Sequence, residues 1–136
     1  MEKYIVLALI GYLLGCIHPS YVIAKKVQGI DIREHGSQNS GASNATIVLG
    51  WKYGVLTALI DVSKGFLAVM LARLLYGPEP ALLYFTGFCA VLGHMFPFYM
   101  KFRGGKGLAT VMGAYGAINI WLALIMLAAL VLVTVL

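Results

Sequence analysis

Charge is what this sequence contains least of. Only 11% of its 136 residues are Asp, Glu, Lys or Arg, whereas 61% are apolar, and the mean hydropathy is +0.90. A soluble domain of this size is about one quarter charged, so the chain has too little polar surface to coat a water-soluble globule. The same arithmetic excludes a disordered chain and a nucleic-acid-binding domain. The sequence therefore predicts a single integral membrane domain over residues 1–136.

Cysteine and several catalytic motifs are also scarce or absent. Both cysteines, Cys16 and Cys89, lie inside apolar runs, which argues against a disulfide framework. No histidine is followed five residues later by aspartate, as the histidine–aspartate acyltransferases require. The sequence contains no paired-aspartate motif of CDP-alcohol phosphotransferases, no serine nucleophile elbow and no cluster of metal ligands. We therefore expect no metal ion, no cofactor and no protein nucleophile.

The long apolar segments predict an all-α, multi-span transmembrane helical bundle, since about 20 apolar residues are needed to cross the hydrocarbon. The predicted spans cover residues 4–24, 53–76, 81–98 and 108–136. The last segment carries no charge and is long for one helix, and Gly113, Gly116 and Asn119 offer places to break it. Four crossings are the base expectation, and five crossings with a short fourth helix are the alternative.

The basic residues predict how the chain is oriented. Seven of the ten fall in two polar segments, 25–52 and 99–107, which join the spans on one side of the membrane. The positive-inside rule places both segments in the cytoplasm and the N-terminus outside. A simpler interpretation, in which these charges only fix the topology, stays open.

Residues 36–44, here called the serine–asparagine loop, combine two glycines, three serines and two asparagines, with Arg33 just upstream. Gly36 and Gly41 allow several backbone N–H groups to turn toward one point and form an anion site. The hydroxyl and amide side chains add neutral donors, and a guanidinium such as that of Arg33 grips two phosphate oxygens at once. Such a cluster is also typical of an ordinary turn.

Residues 101–107, here called the glycine-rich loop, run straight into the last apolar segment. A glycine-rich turn that leads into a helix presents free N–H groups and the positive end of the helix dipole to an anion. Lys101, Arg103 and Lys106 reinforce that charge, and no acidic residue lies among them. The loop is not a Walker A box, because Lys106 is followed by Gly107. A structural turn with interfacial cations is the alternative.

A few ionisable residues fall in or beside the apolar segments. Asp61 and Lys64 are three residues apart and share a helical face, where they either pair with each other or leave Lys64 to bind an anion. His35 and His94 lie close to the two loops, so each is a candidate base. His18, next to Pro19, is expected to be an interfacial packing residue.

Together these blocks resemble the bacterial acyl-phosphate:glycerol-3-phosphate acyltransferase family. The matching stretches are residues 15–21, 29–44, 59–65, 93–97 and 104–110. The resemblance implies a multi-pass helical enzyme of the bacterial inner membrane, with membrane lipids around it and no nucleic acid as partner. It implies transfer of a fatty acyl group from acyl phosphate to glycerol 3-phosphate, giving lysophosphatidic acid for phospholipid biosynthesis.

The resemblance also implies a set of functional residues. Ser37 and Arg33 match the family's functional serine and arginine, and Asn39 is carried over with them as catalytic. The residues implied in substrate phosphate binding are Gly36, Gly41, Asn44, Lys64, Gly104, Gly105, Lys106 and Gly107.

The sequence departs from the family pattern in two respects. It lacks the family's third motif, a His, an Asn, an Arg and a Glu near the C-terminus, so we expect a chain incomplete relative to the family. Cys16 and His18 stand where the family commonly has a Ser and a small or apolar residue. The alternative to an acyltransferase is therefore a catalytically inactive anion-binding or assembly module descended from the family, and a transporter is a weaker third hypothesis. The sequence leaves the oligomeric state undetermined.

Overall fold

Apolar helices of very different lengths make up the computed structural model, which describes residues 1–135 and the side chains of residues 1–132. The helices are α1 (Glu2–Gly15), α2 (Pro19–Val27), α3 (Ala42–Leu49), α4 (Trp51–Tyr76), α5 (Pro80–Met95), α6 (Leu108–Ile118) and α7 (Ile120–Val135). Two single 3-10 turns, Ile32–Glu34 and Phe98–Met100, lie between them. No strand occurs in residues 1–135, so the predicted all-α class is confirmed.

Among the described residues, three helical segments are long and apolar enough to cross a membrane: Glu2–Val27, Trp51–Tyr76 and Pro80–Met100. They correspond to the first three predicted spans. The first contains a break between α1 and α2, where Pro19 occupies the beginning of α2. Proline suits that position because its missing N–H would have no partner inside the helix.

The predicted fourth span is divided, which corrects the expectation of one continuous helix. The chain is extended at Asn119, one of the three predicted break points, and the Asn119 side chain caps α7 by accepting from the Trp121 N–H at 2.9 Å. With 11 residues, α6 is about 16 Å long and too short to cross the hydrocarbon alone. The division agrees with the alternative of a short fourth helix; residue 136 lies outside the described part of the chain.

Small residues allow the helices to approach closely. Between α1 and α5, a Cβ added to Gly15 would overlap the Ala90 carbonyl, and one added to Gly93 would overlap the Tyr12 carbonyl. Gly65 and Gly113 make the equivalent close contact between α4 and α6. Such close packing is important in a membrane, because apolar side chains gain no hydrophobic free energy when they move from lipid into contact with one another.

Segment 25–52, expected to be polar throughout, contains the unpredicted helix α3. This helix packs on α4, and Ala45 on it forms a small second core with Ala24 and Ile32. Because α3 begins at Ala42, the end of the serine–asparagine loop is the first turn of a helix. Packing between α3 and α2 holds that loop at one end of the bundle.

Candidate active site

The serine–asparagine loop is organised by one buried side chain, that of Asn44, which is 1% exposed. Its Nδ2 donates to the carbonyls of Ile32 at 2.9 Å, His35 at 3.0 Å and Asn39 at 2.7 Å. Its Oδ1 accepts from the Ser37 N–H at 2.7 Å. An amide group has two N–H donors, so Asn44 has none left for a phosphate. The hydrogen bonds of Asn44 therefore shape the loop.

The two loop glycines have different surroundings. Gly36 has a φ of +59°, and a Cβ there would overlap the Asn44 side chain, so only glycine fits. The Gly41 N–H donates to the Asn39 Oδ1 at 2.8 Å. Two of the loop's N–H groups, those of Ser37 and Gly41, therefore serve the loop itself. The exposed Ser37 hydroxyl has no hydrogen-bond partner among the described residues.

Arg33 joins the serine–asparagine side of the site to the glycine-rich loop. Its NH1 donates to the Met100 carbonyl at 2.6 Å and to the Arg103 carbonyl at 3.3 Å. Its Nε and NH2 donate to the Asp31 carboxylate at 2.9 and 2.5 Å. These side-chain hydrogen bonds hold the pKa of Asp31 below, and the pKa of Arg33 above, their ordinary values. Both loops therefore lie at the same end of the bundle.

The glycine-rich loop folds back onto the end of α5. The Gly104 N–H donates to the Met95 carbonyl at 2.9 Å, and the Gly105 N–H donates to the His94 carbonyl at 3.0 Å. These two N–H groups are therefore not free for an anion. Lys106 is exposed, and its ammonium has no partner within the described residues.

Gly107 connects this loop to α6. Its φ of +80° lies in the left-handed region, which favours glycine, and its carbonyl accepts from the Val111 N–H at 2.8 Å. The N–H groups of the first turn of α6 have no acceptor inside the helix. The loop thus leads into a helix N-terminus, as the sequence predicts.

Below the loops lies a buried ionic cluster of Asp61, Lys64 and His94, each no more than 2% exposed. The Lys64 ammonium contacts the Asp61 carboxylate at 2.7 Å, the Ile17 carbonyl at 2.5 Å and His94 Nδ1 at 2.7 Å. These contacts favour the mutual ion pair over an anion ligand for Lys64. A phosphate would have to displace one of three partners to reach it.

His18 belongs to the same buried region, which corrects the expectation that it packs at the interface. It is 1% exposed, and its ring lies 4.8 Å from the ring of His94. Ser40 Oγ contacts His18 Nδ1 at 3.3 Å, and the Ser20 hydroxyl donates to the Ser40 carbonyl at 2.6 Å. The sequence shows no signal for this pairing, because the two histidines come from different spans.

The structure thus separates the predicted site residues into three groups. Ser37 and Lys106 present free polar groups on the two joined loops. Arg33 and Asn44 hold the loops in shape, while Lys64 lies in the ionic cluster. Sequence reasoning missed Asp31, although its position two residues before Arg33 suits a local ion pair.

The two candidate bases, His35 and His94, have definite positions as well. His35 is exposed, and its Nδ1 lies 3.0 Å from the Asp31 carbonyl. His94 is buried against the glycine-rich loop. Within the described part of the chain, no three His, Cys, Asp or Glu side chains come together as a metal site would require.

The fold and the site define a helical integral membrane protein with two polar loops clamped together at one end of its bundle. The family model described as glycerol-3-phosphate acyltransferase matches residues 5–136. The chain therefore belongs to the glycerol-3-phosphate acyltransferase family.

Individual relatives agree with this assignment. Glycerol-3-phosphate acyltransferase 1 of Oceanobacillus iheyensis is 42% identical over 139 aligned residues, which cover 97% of this chain and 67% of that protein. Two crystal structures of the integral membrane glycerol 3-phosphate acyltransferase PlsY also match. Its glycerol 3-phosphate form gives a TM-score of 0.82 at 44% identity, and its lysophosphatidic acid form gives 0.77 at 42%. Each covers 90% of this chain, which spans 60% of the PlsY chain.

Proposed function

We propose that this chain transfers a fatty acyl group from acyl phosphate to glycerol 3-phosphate, releasing phosphate and giving lysophosphatidic acid for phospholipid biosynthesis. The observation that carries the proposal is the Arg33 clamp, which joins two polar loops at one end of the bundle in a chain of this family. Neither a metal ion nor a cofactor is part of the proposal.

The chemistry suits these residues. Acyl phosphate is a mixed anhydride with a good leaving group, so the reaction needs little covalent help from the protein. The larger problem is to bring two phosphate-bearing molecules together against their mutual repulsion. The cations of the two loops offset that repulsion, and orientation of the hydroxyl toward the carbonyl is worth up to about 7–11 kcal/mol in favourable cases.

In this proposal Ser37 and Lys106 contact substrate phosphate, because their polar groups are exposed and unpartnered in the described structure. Arg33 holds the two loops together and offers its remaining NH2 hydrogen. Such donors also stabilise charge that develops on the departing phosphate. A substrate phosphate oxygen takes the proton from the attacking hydroxyl, so the reaction needs no base from the protein.

The remaining predicted residues shape the loops in this proposal. Asn39 orients the Gly41 N–H, and Asn44 gathers the loop carbonyls around one amide. The glycines at 36, 104, 105 and 107 allow the close turns seen in the two loops. The excess of lysine and arginine in these segments supports a cytoplasmic location for both loops in a bacterial inner membrane, with the N-terminus outside.

The test is an assay of the purified chain in lipid with radiolabelled glycerol 3-phosphate and acyl phosphate, without acyl-CoA. We expect labelled lysophosphatidic acid, and roughly a hundredfold loss of turnover in Ser37→Ala and Lys106→Ala. Matched controls are Ser63→Ala and Lys52→Ala, which remove exposed side chains on α4 and leave turnover unchanged.

An active relative assayed in parallel makes a negative result interpretable. Calorimetric binding of glycerol 3-phosphate without turnover would favour the inactive anion-binding module over the enzyme. Absence of both binding and product, with the relative active, would overturn both hypotheses.

A further inference from the structure

The contacts of Lys64 determine where His94 carries its proton. An ammonium group has three N–H donors and no acceptor. In the structure the Lys64 nitrogen makes two hydrogen-bond contacts, with the Ile17 carbonyl at 2.5 Å and with His94 Nδ1 at 2.7 Å, and an ion pair with Asp61 Oδ1 at 2.7 Å. Asp61 Oδ1 also approaches His94 Nδ1, but at 3.5 Å it is farther from that nitrogen than Lys64 is. As an ammonium ion paired with Asp61, Lys64 can only donate, so this contact requires His94 Nδ1 to be the acceptor. The geometry therefore favours the tautomer that carries its hydrogen on Nε2.

The Nε2 edge of the same ring lies against the glycine-rich loop. A Cβ added to Gly105 would overlap His94 Nε2 and the ring carbons on either side of it. The Gly105 N–H also donates to the His94 carbonyl at 3.0 Å. His94 thus contacts Gly105 through both its ring and its backbone, one residue before the exposed Lys106.

His94 is poorly placed for proton abstraction from a substrate. Its side chain is 3% exposed, and the ring is covered by Lys64 on one edge, Gly105 on the other and the His18 ring at 4.8 Å. A general base must reach the proton that it removes, directly or through one water. The nitrogen that could accept a proton, Nδ1, faces Lys64 at 2.7 Å and Asp61 Oδ1 at 3.5 Å instead of the loops.

We propose that His94 is a positioning residue for the glycine-rich loop, held by Asp61 and Lys64 as its Nε2–H tautomer, and is not the catalytic base. In this arrangement the ring is a fixed surface on which Gly105 packs, and the packing sets where Lys106 projects. Only the link to glycerol 3-phosphate binding rests on the proposed function; the tautomer and the packing do not.

The first test reads the proton position directly. The chain has three histidines, so ¹⁵N spectra of the imidazole rings in detergent or lipid near neutral pH are readily assigned by substituting each in turn. We expect one protonated and one bare nitrogen in the His94 ring, with the proton on Nε2. The paired variant Asp61→Leu with Lys64→Met removes both groups beside Nδ1 and adds no donor, so His94 should become a mixture of tautomers, while the exposed His35 does not change. An Nδ1-protonated or doubly protonated His94 in the parent chain would overturn the proposal.

The second test is a double-mutant cycle between Gly105→Ala and His94→Asn. Asparagine is shorter and keeps an oxygen near the position of Nδ1 for Lys64 to donate to. Gly105→Ala should weaken glycerol 3-phosphate binding roughly tenfold or more in the parent, because the new Cβ displaces the loop. In the His94→Asn background, Gly105→Ala should weaken glycerol 3-phosphate binding much less. In both backgrounds the effect of Gly105→Ala on activity should be a rise in KM more than a fall in kcat. Equal losses in the two backgrounds, or a His94→Asn variant that binds substrate normally but has no turnover, would reject a positioning role.

Melting temperatures of the same four proteins, measured without substrate, make the outcome independent of the proposed reaction. If the chain has no turnover, coupling between residues 94 and 105 in Tm still decides whether the ring supports the loop. If turnover is normal but the tautomer is mixed, the acyltransferase proposal stands and this inference fails. Gly116→Ala, on α6 away from His94, is the control that should show no coupling.

Discussion

Arg33 NH1 donates to the Met100 carbonyl at 2.6 Å and so joins the segment before α3 to the turn that follows α5. Because the guanidinium also forms a two-point contact with Asp31, it is fixed on both sides. Arg33, which the sequence predicts to be a phosphate ligand, forms in the structure a clamp between two loops.

Arg33→Lys should therefore destabilise the protein while keeping its charge. An ammonium cannot reproduce the fork that contacts Asp31, Met100 and Arg103 together, so we expect a loss of about 1–3 kcal/mol in the free energy of unfolding. Denaturation in detergent measures it. The control is Arg103→Gln, whose side chain is exposed and whose carbonyl still accepts; a change within about 0.5 kcal/mol is expected there. Equal stability of Arg33→Lys and the parent would show that the clamp contributes nothing.

Acid should weaken the same clamp with a defined sign. Arg33 holds the pKa of folded Asp31 below its ordinary value of 3.8, so the ion pair stabilises the protein fully above that pH. As the pH falls below 3.8, Asp31 takes up its proton in the unfolded chain before it does so in the folded one. The stabilisation therefore decreases with falling pH until the pKa of folded Asp31 is passed. Asp31→Asn should remove this part of the acid dependence. The measurement is the unfolding midpoint of both proteins on acidification, and Glu34→Gln, exposed and adjacent, should keep the parent's slope.

Asn44→Asp is expected to damage the serine–asparagine loop although it is nearly isosteric. The carboxylate keeps an acceptor for the Ser37 N–H but places buried oxygens against three carbonyls that now accept from Nδ2. We expect a loss of about 1–3 kcal/mol or more and faster proteolysis within residues 36–44. Ser43→Ala, an exposed change in the same turn, is the control. A stable, protease-resistant Asn44→Asp protein would contradict the role assigned to the amide.

The glycine contact between α1 and α5 predicts unequal effects of glycine-to-alanine changes. Gly93→Ala places a methyl on the Tyr12 carbonyl, and such overpacking costs about 1–3 kcal/mol. In Gly116→Ala the nearest atom to the added Cβ is the Ala123 Cβ at 3.4 Å, which is an ordinary contact. This variant should leave the thermal unfolding midpoint unchanged or raise it. Similar melting of the two variants would mean that α1 and α5 are not packed as described.

Local patterns predicted much of the fold. Apolar runs predicted the first three spans, and the three predicted break points in the last segment included Asn119, where α6 and α7 divide. Helix α3 was missed because its apolar side chains occupy one short stretch within polar neighbours, and such a helix is stable only when it packs on α4. The burial of His18 was missed for a related reason, since a histidine beside a proline is equally compatible with an interface and with a core.

What the sequence determined alone is what depends on a residue and its near neighbours: the membrane class, the long apolar helices and the two loop motifs. The length of an apolar run, the position of a breaker and the local density of cations are all properties of short segments. Only the tertiary structure decided that Arg33 clamps the loops, that Lys64 is enclosed by three partners and that Gly105 packs on His94. Those contacts join residues from different helices and loops, and hydrogen-bond geometry and close packing between them arise only when the helices have come together.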